Sequence, residues 1–294
     1  MGPDQGSVPS VADRAASPFE LASLVDLDRY PIHDPDAIAA IAATAHDDLV
    51  ARGVAVLPGF LHGHGVAAVA AEAETLAPLA HHSTSESTVY LAAPEPGAAP
   101  ESPGGHLVQA AVGVVAYDLF PSDSALRALY EDDAVLAFVA AVLGRSPLYR
   151  YGDPFGALNL AVMGDSDELG WHFDMTDFVV SLAIRSSDTG GEFEMVSRIR
   201  STDDPATDAI AAVLAGDRSA VETLPMAPGT LVVFEGRWSM HRVVPVAGDT
   251  DRLVALLSYD TEPGTDSTDR LKLVRYGRLP GERGSTPAGS GVAS

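Results

Sequence analysis

Residues 170–196 read GWHFDMTDFVVSLAIRSSDTGGEFEMV. A polar loop, GDSDELGW (164–171), leads into His172, and the apolar run FVVSLAIR (178–185) precedes a Gly-Gly turn and GEFEMV. Short β-branched runs set between Gly, Asp and Ser breakers are strand signals. Side chains two apart on a strand share a face, so His172 and Asp174 can aim a nitrogen and an oxygen at one point. The pair alone decides nothing. Nine His and 41 acidic residues among 294 make such spacings expected by chance, and His46-Asp47-Asp48 is a second one.

The surroundings separate the two. His46 lies in HDPDAIAAIAATAHDDLVARG (33–53), where Asp34 suits an N-cap, Pro35 the first turn and Gly53 a stop. Ile38, Ile41, Ala45 and Leu49 fall at helical spacing on one face. His46 and Asp48 then sit roughly 200° apart around a helix axis and read as solvated residues. A short strand, VAVLPGF, follows, and helical patterns occupy about 64–77, 123–131 and 132–144. His62 and His64, in FLHGHG, read as a helix-leading loop.

From about residue 147 the texture changes to ALNLAVM, FVVSLAIR, GEFEMV, TLVVFEG, MHRVVPV and RLVALLSYD. Many short strands with turn signals indicate a sandwich or jelly roll rather than a parallel α/β sheet. Residues 200–224 read as one helical insertion between two strands. The expected domain is mainly β with flanking helices, the N-terminal ones packed on the β core. Residues 1–18 and 279–294 are rich in Gly, Ser, Pro and Ala and are expected to be disordered tails.

Net charge is −23, with no run of Lys or Arg, which disfavours nucleic acid and anionic membrane as partners. Without cysteine, any metal must sit on His, Asp or Glu. MGPDQGSVPSVADRAAS lacks the apolar run of a secretion signal, and a cytoplasmic protein is expected.

Two ligands seldom hold a metal tightly, so a third is expected. His241, in PGTLVVFEGRWSMHRVVPV beyond the insertion, is the candidate. Two His and one carboxylate leave three positions open, the arrangement of non-haem Fe(II) oxygenases. A chelating keto acid needs its far carboxylate held, preferably by a guanidinium. Arg252 lies on the next expected strand, whereas Arg242 neighbours His241 and should face the other way.

The stretch from about 148 to 262 resembles the Fe(II)/2-oxoglutarate-dependent dioxygenases. The resemblance rests on His172-x-Asp174, TGGEFE, PGTLVVFEG, His241 in HRVVPV, and Arg252, with ARGVAVLPGFL similar to the family's entry. Within that superfamily the chain looks most like a bacterial branch of free-amino-acid hydroxylases and halogenases. The resemblance implies a double-stranded β-helix core within a single domain over 19–278. It also implies iron on His172, Asp174 and His241, and 2-oxoglutarate on Arg252. Fe(II), 2-oxoglutarate and O2 would be required, with ascorbate a candidate reductant. Halogenases of the branch carry a small residue where this chain has Asp174, so the resemblance favours hydroxylation of a small polar metabolite.

Weaker candidates complete the reading. Asn159, on an apolar strand, could bond the co-substrate or be a satisfied buried amide. His82, Arg150, Glu192 and Trp238 are candidates for the substrate pocket; His81 and Glu194 stand beside them. The competing functional readings are a cupin-like metal protein (isomerase or sensor) without 2-oxoglutarate turnover, and a non-catalytic binding protein. Oligomeric state is not legible.

Overall fold

The computed structural model describes residues 19–281, so the expected tails, apart from residues 279–281, lie outside the described residues. Helix α1 (Pro35–Arg52) begins where Asp34 accepts the N–H groups of Asp36 and Ala37. It ends at Gly53, whose φ of 69° an L side chain would resist. Helix α2 (Gly63–Leu76) is capped by the His62 ring, which accepts from Gly65 N–H. Ser124 and Asp132 cap α3 (Ala125–Glu131) and α4 (Asp133–Leu143). All four helices lie close to the windows expected from spacing.

His46 departs from expectation. It is half-buried, and its Nδ1–H donates to the Val142 carbonyl (3.0 Å), one of the unpaired carbonyls ending α4. A helix neighbour that the sequence cannot reveal turned a supposedly solvated imidazole into a helix–helix contact.

The strands run in chain order as follows. First come β1 (Val54–Leu57), β2 (His81–Ser87), β3 (Val108–Val115), β4 (Tyr149–Arg150) and β5 (Leu158–Met163). Next are β6 (Leu169–His172), β7 (Val179–Arg185), β8 (Thr189–Gly190), β9 (Phe193–Val196) and β10 (Glu222–Leu224). Last are β11 (Leu231–Phe234), β12 (Met240–Val243), β13 (Val246–Ala247), β14 (Arg252–Leu257) and β15 (Tyr259–Asp260). The 200–224 stretch holds α5 (Thr207–Leu214) and the edge strand β10; α6 (Asp269–Tyr276) follows the last strand.

Eleven strands form one antiparallel sheet in the order β1-β11-β7-β14-β5-β3-β6-β12-β9-β10, with β2 added on β3. Strand β3 pairs with β5 over Gly113–Val115 and touches β6 at Ala110↔Leu169, carrying the sheet round into a nearly closed barrel. Alternation then sorts the side chains. On β14 and β5, Leu253, Ala255, Leu158 and Leu160 face outward into a core shared with Phe60 and Phe138 of the helical layer. Met163, Phe193, Met195, Val232, Phe234 and Val243 fill the interior. A polar side chain on the inner face must therefore find a partner inside the barrel.

Candidate metal centre

His172 ends β6 with its ring on the inner face, while Trp171 points outward. Trp171 and Phe173 pack against α5 and the 88–107 loop, through Ile210, Val213 and Val89. Their partner is the insertion helix. On β12, His241 pairs in register with His172, which brings the two rings to 4.2 Å between centroids. Phe234 (4.9 Å) and Phe193 (5.6 Å) brace His241. Asp174 follows the strand and is tied by its N–H to the Gly236 carbonyl (3.0 Å). A Cβ at Gly236 would collide with the Asp174 carboxylate, so the glycine in TLVVFEG makes room for it.

The hydrogen bonds fix the tautomers. His172 Nδ1 lies 2.8 Å from the Gly170 carbonyl, and His241 Nδ1 lies 2.9 Å from that of Ser239. Carbonyls only accept, so each Nδ1 carries a proton and each Nε2 is left as the inward-facing atom that can ligate a metal. Burial, aided by His241, pushes His172 down to about 4, so it is neutral near pH 7. Both Nε2 atoms face the Asp174 carboxylate. Asp174 Oδ1 is 3.9 Å from His172 Nε2, and Oδ2 is 3.2 Å from His241 Nε2. Buried Oδ2 makes no well-formed hydrogen bond. Burial alone would raise the Asp174 carboxyl, but the two imidazoles outweigh it and bring it down to about 2.

Two ring nitrogens and a carboxylate converge on one point. The three ligand atoms lie within 4.8 Å of one another. Ligands at ~2.1 Å and right angles on one ion stand ~3 Å apart, so the set fits a small divalent cation.

Arg252 projects from the start of β14 into the same interior. It is 7% exposed, and its guanidinium meets only sulfur: Met163 Sδ at 3.9 Å and Met226 Sδ at 3.7 Å. Among the described residues no carboxylate pairs with it. Burial lowers it to about 10, still charged near neutrality. A buried cation costs several kcal/mol unless paired, and thioether contacts do not offset that. A guanidinium placed this way is suited to meet an anion. It lines a cavity of about 310 Å³ with Gly191, Ser187 and Phe193, whose ring also meets His241.

The family described as Halogenase D matches residues 39–271 of this chain. The chain belongs to that family. No curated protein matches it. Among solved structures, the chain is similar to the non-heme alpha ketoglutarate dependent epimerase SnoN from nogalamycin biosynthesis. The identity is 18%, over 77% of this chain and 81% of the other, with a TM-score of 0.52. SnoN in complex with Fe3+, alpha ketoglutarate and nogalamycin RO matches at 18% identity, 77% and 84% coverage, and a TM-score of 0.50. A Trichoplax adhaerens prolyl hydroxylase bound to a hypoxia inducible factor peptide fragment matches at 12%, with 75% and 89% coverage and a TM-score of 0.50. Likeness at these identities is likeness of fold.

The other candidates of this Halogenase D family member scatter. Asn159 faces inward, but its amide donates to the Phe155 and Leu158 carbonyls and accepts from Tyr276 O–H. His82 sits on the outer face of β2, with Nε2 2.7 Å from Asp167 Oδ1. Arg150 is held by the Tyr130 carbonyl (2.8 Å) and Asp133 (2.9 Å), although one buried amino group has no partner. Glu192 is exposed at the rim of the Arg252 cavity, and Trp238 is half-buried in the turn before β12. Glu194 is turned outward, where Arg218 and Arg242 bind it. His81 packs at Gly277, the end of α6.

Sequence reasoning missed Gly236, Phe193 and Phe234, although all three stand in the quoted motifs. It missed α6 entirely. The signal was there: Thr268 as N-cap, Gly277 as stop, and Lys272 and Tyr276 four apart.

Proposed function

We propose that this protein is an Fe(II)/2-oxoglutarate-dependent oxygenase that hydroxylates a small polar metabolite, a free amino acid or a derivative of one. It would act as a single domain over residues 19–278. His172, Asp174 and His241 hold the iron, and Arg252 holds the far carboxylate of 2-oxoglutarate. The observation that carries this reading is the pairing of two features inside one barrel: a cluster of two imidazoles and a carboxylate within ligand distance of one another, and a buried guanidinium that no carboxylate of the described residues meets. A cupin-like metal protein has no need of the second. The iron and co-substrate, when bound, supply C–H oxidation by O2, with 2-oxoglutarate converted to succinate and CO2.

The residues do the rest. The Gly170 and Ser239 carbonyls keep both Nε2 atoms aimed inward. Phe193 and Phe234 hold the His241 ring and keep water from it. Asp174 would offer the ion a carboxylate, which favours hydroxyl transfer. The family's description favours a second reading, halogenation, which needs the position of that carboxylate free for halide.

The test is succinate release on a panel of free amino acids and their derivatives, with mass analysis of the product in the presence and absence of chloride. The expected product gains one oxygen atom in both. A chlorinated product would overturn the hydroxylase assignment. Absence of stimulated succinate release across the panel would overturn the substrate class.

A further inference from the structure

The inner face of α6 carries three polar side chains. Lys272, Arg275 and Tyr276 stand at i, i+3 and i+4, so they share one side of the helix. Two of them are satisfied. Lys272 is 3% exposed, with Nζ 2.6 Å from Asp266 and 4.0 Å from Asp153. Tyr276 is buried and donates its hydroxyl proton to Asn159 Oδ1 (2.9 Å). Arg275, half-buried between them, has no acidic partner among the described residues. Its neighbour Arg278 is paired through both amino groups with Asp118.

Where this cation sits follows from register. Asn159 pairs with Leu256, four residues along β14 from Arg252, so the two lie ~13 Å apart down the barrel wall. The His241 ring packs on Phe234, which pairs with Val179 at the β7 end remote from Arg185. The metal donors and the Asn159–Tyr276 contact therefore share one end of the barrel, and Arg252 occupies the other. Electrostatics agree. The charge of Arg275 acts on Tyr151 and Tyr276, whereas Arg252 responds to burial alone. The phenol of Tyr151, which burial pushes up to about 12, feels both Arg275 and Asp174 and stays a neutral donor there.

We infer that Arg275 anchors the substrate through a carboxylate at the α6 end of the barrel. This inference rests on the oxygenase reading above. It adds that the substrate is itself an acid, held on the opposite side of the donors from the socket for the keto acid. A planar guanidinium binds a carboxylate through two parallel hydrogen bonds, fixing orientation as well as position. Being anchored away from Arg252, the substrate would not compete with the co-substrate.

The test compares the twenty free L-amino acids with their C-terminal amides. First, anaerobic addition of Fe(II) and 2-oxoglutarate to wild type and Arg275→Gln should give the same iron stoichiometry and the same visible charge-transfer band. Absence of the band in wild type would sink the oxygenase reading itself. With the band intact, at least one acid should raise succinate release while its amide does not. In Arg275→Gln the KM for that acid should rise on the order of a hundredfold, with the acid-over-amide preference lost. Arg275→Lys, which keeps the charge but not the fork, should recover part of the preference. Calorimetry on the metal-free protein should show the same acid binding to wild type and failing with Arg275→Gln. Amides that serve as well as acids, a panel in which no acid is turned over, or an Arg275→Gln variant that keeps the preference would each overturn the inference.

Discussion

The barrel wall treats charge differently on its two faces. Outside, Glu194 lies between two arginines, 2.6 Å from Arg242 Nε and hydrogen-bonded to Arg218, and both guanidinia lean on the Trp171 ring. Inside, one strand position away, Phe193 borders a cavity in which Arg252 has only sulfur for company. The outer cluster pairs its charges within the chain, whereas Arg252 meets no carboxylate among the described residues. On the proposed reading, the chain itself neutralises structural charge, and the inner charge serves a ligand. Substitutions should therefore sort by face, the inner ones changing binding and the outer ones stability.

The largest effect is expected at Asp174. Asp174→Ala removes the single anionic donor, and succinate release should fall ~100-fold or more, with iron content measured by metal analysis falling in parallel. Full iron loading together with undiminished succinate release would break the contrast at its strongest point. Next comes Arg252→Gln. Losing the cationic partner of a buried carboxylate costs ~2–5 kcal/mol, so the 2-oxoglutarate concentration for half-saturation should rise ~30-fold or more. Ligand-free stability should hold or increase, because an unpaired buried charge has been removed. A large drop in ligand-free Tm would mean that Arg252 serves the fold.

Glu194→Gln should do the reverse, leaving iron and co-substrate binding intact while lowering stability by ~1–3 kcal/mol in denaturant titration. Burial alone would raise the Glu194 carboxyl, but Arg218 and Arg242 hold it below the ordinary glutamate range. Its contribution is then present above the unfolded pKa of about 4.3 and is lost as pH falls through the lower folded value. Wild type and Glu194→Gln should converge in stability in acid and diverge toward neutrality. The smallest change is expected at His46→Ala, which forfeits one hydrogen bond to an α4 carbonyl, ~1 kcal/mol, with no change in iron binding. That result would separate the two His-x-Asp spacings experimentally.

How much of this was legible varies with how local the cause is. The helix caps at Asp34 and Gly53, the strand series after residue 147, and the shared face of His172 and Asp174 depend on near neighbours, and spacing revealed them. The exposure of Glu192, the outward turn of Glu194 and the helix contact of His46 depend on which element packs alongside, and pattern left them open. Asn159 shows the limit well. Alternation does put it on the inner face, but its amide is consumed by Tyr276 on α6, more than a hundred residues away. The short α6, eight residues with a polar inner face, offered no apolar periodicity to read.

Anaerobic titration of the wild-type protein, first with Fe(II) and then with 2-oxoglutarate, addresses the central claim most directly. The expected result is one iron per chain, followed by a visible charge-transfer band that Asp174→Ala and Arg252→Gln both weaken or abolish. A wild-type protein that takes up no iron, or a band of equal strength in both variants, would contradict the account.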